Sequence, residues 1–124
     1  MNFKEKVIKI VKAIPKGKVL SYGQVASLAG FPRGARHVGG VLMTESEKFK
    51  LPWHRVINAQ GGLSTYRLGF ASLQKRKLQK EGLKFNQKEK IKLKEYTWEP
   101  SASFLTKIGF SDEEALKELE RQNT

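Results

Sequence analysis

No cysteine occurs anywhere in the 124 residues, which removes disulfides, thiolate metal sites and cysteine nucleophiles together. Histidine is nearly as scarce. His37 and His54 are the two imidazoles, too few for an ordinary catalytic zinc site, and neither a metal nor a cofactor is expected. No apolar run approaches the roughly 18–20 residues of a membrane span, and the lysine-studded start MNFKEKVIKIVKAIP has no apolar block of signal-peptide type. These absences predict a soluble intracellular chain, in the cytoplasm or nucleoid of a prokaryote or the nucleus of a eukaryote, with no membrane partner. Acidic residues are also few: 12 Asp and Glu stand against 24 Lys and Arg, a net charge of +12. Residues 101–124 hold five acidic and three basic side chains, so the first hundred residues carry 21 basic against seven acidic. That excess points to a polyanion, bound by phosphate neutralisation and counterion release. Charge alone does not separate DNA from RNA or an anionic membrane, and a lysine-rich solvated surface is the plain alternative.

What is present begins with a helix. Asn2-Phe3-Lys4-Glu5 offers a capping-box-like start, and Phe3, Val7, Ile10, Val11 and Ile14 follow at helical spacing until Pro15-Lys16-Gly17 stops them. Lys18-Val19-Leu20 is a short extended link. Ser21 then serves as N-cap with Gln24 at N3, opening a short helix that ends at Gly30. Phe31-Pro32-Arg33-Gly34 is a turn, and Ala35 to Met43 read as a second short helix. Two short helices around a tight turn make a helix-turn-helix, although many such pairs touch no DNA. Thr44 to Lys50 read as a polar loop and Trp53 to Ile57 as a strand, closed by the turn Asn58-Ala59-Gln60-Gly61-Gly62. A short loop over Ser64 to Gly69 precedes a helix from about Phe70 to Glu81, whose Leu73, Lys77, Leu78 and Glu81 share a face and whose C′ residue is Gly82. Lys84 to Lys94 read as a surface hairpin or extended run. After Pro100 the composition turns acidic, and Ser111 caps a last helix with a narrow apolar stripe.

Four ordered blocks carry a family likeness: Gly17-Lys18-Val19 with Ser21-Tyr22-Gly23-Gln24-Val25-Ala26, Ala35-Arg36-His37-Val38-Gly39-Gly40, Pro52-Trp53-His54-Arg55-Val56, and Glu81-Gly82. Together, over roughly residues 3–85, they resemble the DNA-binding domain of O6-alkylguanine-DNA alkyltransferases. The family's signature is Pro-Cys-His-Arg-Val, and here Trp53 fills the cysteine slot. That departure, with Tyr96-Thr97-Trp98-Glu99-Pro100 downstream, resembles the alkyltransferase-like proteins, which share the fold and lesion preference but transfer nothing. Dealkylation needs a nucleophile to take the alkyl group from the guanine oxygen. The family uses a thiolate, activated through a neighbouring His and a Glu on the following helix. His54 and Glu81 match that relay. An indole carbon is no nucleophile toward an alkyl ether, so the resemblance implies a relay left vestigial and no catalytic residue.

The resemblance also implies the binding roles. Arg36 would be an arginine finger filling the space of an extruded base, where a planar guanidinium can stack and hydrogen-bond. Tyr22, beside Ser21, would push the 3′ phosphate and rotate the nucleotide outward. Ala35, Gly39 and Gly40 are small for a helix, which suits close approach to a minor groove, whose degenerate pattern fits weak sequence preference. Tight packing inside the protein would need small residues too. Pro52, Trp53 and His54 with Tyr66 and Arg67 would line the pocket for the flipped guanine, with either Tyr66 or Arg67 at O6. Arg55 is expected to brace its loop, and Glu45 stands where the alkyltransferases have an asparagine hinge.

The expected fold is therefore mainly α with a small β element, a winged helix-turn-helix DNA-binding domain of the alkyltransferase type over residues 1–100, with a C-terminal acidic helical extension over 101–124. By resemblance, the partners are double-stranded DNA containing O6-alkylguanine and nucleotide excision repair proteins, with the protein a monomer. The competing readings are a general winged-helix DNA-binding or regulatory protein without lesion preference, and a transferase that uses His54 or Glu81 as acceptor.

Overall fold

A computed structural model describes residues 1–63 and 70–109. The expected caps are in place. Asn2 Oδ1 accepts the Glu5 amide at 2.8 Å and opens α1 (Phe3–Ala13), which buries Val7, Ile10 and Val11. Ser21 and Gln24 cap each other's backbone at the start of α2 (Tyr22–Leu28), with Ser21 Oγ accepting the Gln24 amide and Gln24 Oε1 accepting the Ser21 amide. Gly30 leaves the helix with φ +85, a conformation glycine adopts without strain. No helix among the described residues is long and apolar enough to cross a membrane.

Helix α3 (Ala35–Phe49) runs further than the sequence suggested, through the stretch read as a polar loop after Met43. Its buried stripe continues past Val38 and Leu42 into Glu45 and Ser46, at helical spacing. Glu45 is tolerated there because Lys4 of α1 pairs with its carboxylate, so a polar residue marked a helix–helix contact rather than a loop. Lys50 in the left-handed region, φ 53, ends the helix.

The expected strand over Trp53–Ile57 is mostly something else. Trp53–Arg55 form a 3₁₀ turn, and β2 is only Val56–Ile57. It pairs in parallel with β1 (Leu20–Ser21), Leu20 opposite Val56 and Ser21 opposite Ile57, while Val19 bridges to Thr97 on its other side. Alternation across this small sheet divides the core in two. Leu20 and Val56 face the cluster built from α1, α2 and α3, whereas Val19 and Ile57 join Leu78, Leu83 and Ile91 in a second cluster.

Helix α4 (Ala71–Lys80) covers that second cluster, but its buried face is Gln74 and Leu78, not Leu73 and Lys77. Gly82 takes the C′ position with φ +99 as expected. The 84–94 run is a tight turn, Asn86 amide to Lys90 carbonyl at 2.8 Å, followed by the short α5 (Leu93–Tyr96). One antiparallel bridge, Gly62 to Lys90, ties this turn to the wing-like loop after β2. The region from Ser101 opens with α6 (Ala102–Lys107), capped by Ser101, and Leu105 and Ile108 are fully buried in the first cluster. The helix expected after Ser111 lies outside the described residues.

Candidate nucleic-acid interface

Helices α2 and α3 pack on each other and on α1, and their turn is fixed by sterics. A Cβ on Gly34 would sit 2.7 Å from Phe31 Cδ1 and 3.0 Å from its carbonyl oxygen, so this turn accepts glycine alone without a shift. Phe31 in turn stacks on His37 at 5.9 Å and meets Phe3 edge-on at 5.9 Å. That aromatic trio anchors the start of α3, and only its Phe3 had been assigned a place by helical spacing.

The outward face of α3 carries Arg36, Gly40 and Met43, all exposed, at i, i+4 and i+7. The two glycines divide as their positions dictate. Gly39 is buried, and Gly40 is exposed with nothing within 4 Å of where a Cβ would stand. Packing inside the described protein therefore gives no reason for glycine at position 40. Ala35 is partly buried at the first turn. Ser21 and Tyr22 lie deeper: Ser21 is 8% exposed with its hydroxyl engaged in the capping box, and Tyr22 is 7% exposed among the core residues.

In the 3₁₀ turn, His54 and Arg55 converge on one carboxylate while Trp53 turns to two rings. Trp53, partly buried, meets His54 edge-on at 6.3 Å and Phe70 edge-on at 6.1 Å. His54 Nε2 lies 2.7 Å from Glu81 Oε2. Arg55 donates through Nε and Nη2 to both Glu81 oxygens, at 3.0 and 2.8 Å, and through Nη1 to the Ile14 carbonyl at 2.8 Å. Glu81 also accepts the Gly17 amide at 3.0 Å. One carboxylate thus ties α4, the 3₁₀ turn and the end of α1 together, and Arg55 braces as the sequence suggested. Pro52, partly buried, precedes the turn and accepts the Arg55 amide through its carbonyl at 2.9 Å.

Gln74 was missed by sequence reasoning. It is fully buried, and its Nε2 donates to the carbonyls of His54 at 3.2 Å and Val56 at 2.9 Å. These are the carbonyls that a 3₁₀ turn passing into a two-residue strand leaves open. The available signal was a glutamine four residues before Leu78 and seven before Glu81, on the face those residues share. Tyr66 and Arg67 lie outside the described residues. Asn58 shapes the loop leading to them, its Oδ1 accepting the Gln60 and Gly62 amides at 3.0 and 2.8 Å.

The two titratable groups are locked in definite states. Burial works to raise the Glu81 carboxyl, but the hydrogen bonds from Arg55, His54 and the Gly17 amide outweigh it and hold the pKa at about 2. Burial lowers His54 from its ordinary 6.5 more strongly than the neighbouring carboxylate raises it, with Arg55 and Lys77 adding repulsion. At neutral pH the pair is therefore a neutral imidazole donating to a carboxylate, which leaves Nδ1 as the acceptor nitrogen.

Both native pKa values are depressed, so both groups stabilise the fold above their unfolded values and that stability is lost as pH falls. The loss begins below 6.5 through His54 and deepens between 4.5 and about 2 through Glu81, with the Glu81 share on the order of 3 kcal/mol. Urea midpoints should fall in that order, and a flat profile from pH 6 to pH 3 would contradict the assignment.

The tight α2–α3 pair has the arrangement of a helix-turn-helix, with an exposed arginine and a bare glycine on its second helix. Residues 2–83 match the family described as 6-O-methylguanine DNA methyltransferase, DNA binding domain, and the chain belongs to that family. Among its relatives, the DNA base-flipping protein of Vibrio parahaemolyticus is 44% identical over 99 residues, covering 80% of this chain and 98% of that protein. Alkyltransferase-like protein 1 of Schizosaccharomyces pombe is 38% identical over 104 residues, covering 80% and 96%. The crystal structure of S. pombe Atl1 in complex with damaged DNA containing O6-carboxymethylguanine superposes with TM-score 0.72 and 38% identity, covering 79% of this chain and 95% of that one. The human methylated-DNA–protein-cysteine methyltransferase is 40% identical over 63 residues, only 30% of its own length.

Proposed function

We propose that this protein binds O6-alkylguanine in duplex DNA without repairing it, docking α3 in the minor groove and flipping the damaged nucleotide into a pocket walled by Trp53. The observation that carries the reading is an intact His54–Glu81–Arg55 network directly behind a tryptophan, in a chain that has no cysteine. A neutral imidazole beside an ionised carboxylate suits the activation of a thiol, yet an indole N–H is far too weak an acid for such a pair to ionise, and the ring carbon is too weak a nucleophile to take an alkyl group from a guanine ether. What Trp53 offers is a flat apolar wall, which contributes dispersion and area burial to alkyl groups of different sizes. The relatives named as a base-flipping protein and as an alkyltransferase-like protein, and the Atl1 complex with damaged DNA, support the same reading.

On this reading Arg36 is the finger and Gly40 the point of close approach. Tyr22, largely buried, gives the 3′ phosphate a rigid edge, and Ser21 acts by holding the α2 start on which Tyr22 stands. Pro52 and His54 shape the pocket with Trp53, and either Tyr66 or Arg67 meets O6. The protein acts as a monomer that marks the lesion for nucleotide excision repair proteins, in the nucleoid or nucleus.

The test titrates short duplexes that differ only in guanine versus O6-methylguanine. Tighter binding of the lesion is expected; equal affinities would leave a general DNA binder. Intact mass measured after incubation with the lesion duplex should not change, and a gain on the protein would make it a transferase. Arg36→Ala should weaken lesion binding roughly tenfold, since a finger recovers part of the few kcal/mol that flipping costs. A loss no greater than that of an average exposed Lys→Ala at matched salt would reduce Arg36 to a phosphate contact.

A further inference from the structure

The positive charge of this chain is not concentrated on the helix assigned to the groove. Residues 33–50, which include α3, hold four Lys and Arg against two Glu, whereas residues 75–94 hold nine against two. Both carboxylates of the second stretch are engaged within the protein, Glu81 by Arg55 and His54 and Glu89 by Lys75 at 2.5 Å. Among the described residues, Lys75 is the only one of the nine in an ion pair.

These cations line two depressions. A cavity of about 380 Å³ between the 84–92 turn and α5 is lined by Lys84, Lys90 and Lys92, with Phe85 and Tyr96 as apolar walls and Glu95 as its one carboxylate. A second, of about 310 Å³, lies along α4 beside Arg76, Lys77 and Lys80. The turn is held in shape before any ligand arrives. Asn86 Oδ1 accepts the Lys88 and Lys90 amides at 2.8 and 3.1 Å, and the Ile91 amide donates to the Gly61 carbonyl at 3.0 Å. Lys75 stands 5.7 Å over the Phe85 ring, which joins the turn to α4. The lysines stand on elements other than α3: α3 packs on α1 and α2, whereas α4 packs on the 3₁₀ turn and the second core cluster.

We propose that this surface is a second DNA-binding site, which takes the phosphodiester backbone of another duplex segment while α3 holds the first. Lysines are point charges that neutralise phosphates without reading bases, and the two ring walls provide apolar area for the sugars between them. Lysines that make no ion pair among the described residues, on a turn whose backbone is held by Asn86 and joined to α4 through Lys75, are what such a backbone site needs. With two sites on different elements the protein passes directly from one segment to another, so its release from one duplex depends on the concentration of the next. The inference rests on the reading of α3 as the lesion-binding face.

The test compares the wild-type chain with K84A/K90A/K92A, three substitutions at exposed positions. The dissociation rate of a labelled lesion duplex is followed against rising concentrations of unlabelled undamaged duplex. The wild-type rate should climb severalfold and the variant rate should stay flat, with the lesion-to-undamaged affinity ratio unchanged. The salt slope on undamaged DNA should also fall by about 0.9 for each lysine removed. A wild-type rate independent of competitor, or the same dependence in the variant, overturns the second site. A flat wild-type rate together with lysine-dependent binding of polyglutamate would assign the surface to an acidic protein and overturn it equally. Failure of the α3 reading gives a different result, the loss of lesion preference in the wild type.

Discussion

Glu81→Ala should lower folding stability by about 3–5 kcal/mol, the loss expected when one partner of a buried ion pair is removed. Its side chain is 9% exposed and satisfies Arg55, His54 and the Gly17 amide together. Deletion leaves the Arg55 guanidinium, 17% exposed, holding only the Ile14 carbonyl, and it frees the turn that ends α1. Glu81→Gln should recover part of the loss, because an amide oxygen can still accept one of these donors while the charge is gone. Urea denaturation at pH 7 measures both. A loss below about 1 kcal/mol for the alanine variant would mean that the network is surface decoration, as exposed ion pairs usually are. A large loss would explain why a relay without a nucleophile is still intact: its members hold three segments in register. The DNA arm separates the roles, since a purely structural Glu81 predicts that variants refolded at low temperature keep their lesion preference.

Which features were legible in the sequence follows from how local they are. The Asn2 and Ser21 caps, the Gly30 and Gly82 exits and the apolar stripe of α1 depend on residues within one or two turns, and all stand where the pattern put them. Misreadings came where distant partners override local composition. Glu45 looked like loop because Lys4, on another helix, is what makes it a buried residue. Trp53-His54-Arg55 has the composition of a strand. Yet Gln74 takes the His54 carbonyl and that of Val56 just beyond, and Glu81 takes two of its side chains, and together they favour a tight turn. Parallel pairing of β1 with β2 joins positions 36 residues apart, Leu20 with Val56, and no periodicity announces it. For the candidate site, the family blocks located Arg36, Gly40, Trp53, His54 and Glu81, whereas Gln74 and the Phe3–Phe31–His37 trio emerged only from packing.

The distribution of charge bears on how α3 can work. Its segment has little net charge, so on the proposed reading shape rather than local charge would supply the discrimination. Shape is also where α3 is unusual, with a bare backbone at Gly40 between Arg36 and Met43.

Gly40→Leu should therefore leave the fold intact while lowering affinity for lesion duplex by roughly 10–100-fold, the equivalent of the 1–3 kcal/mol that forcing methylenes into a packed contact costs. Gly40→Ala should raise stability, by up to about 1 kcal/mol, because alanine is the better helix former and its Cβ meets nothing within 4 Å. The two measurements move in opposite directions only if the glycine is there for something outside the protein. Gly39, buried one residue earlier, is the control: a Leu there should destabilise the helix pair itself. Should Gly40→Leu bind the lesion duplex as tightly as the wild type, α3 does not approach the groove closely at this turn, and the minor-groove docking argued from its small residues fails. A loss shared equally by damaged and undamaged duplex would keep the docking but place lesion discrimination elsewhere, in the pocket around Trp53.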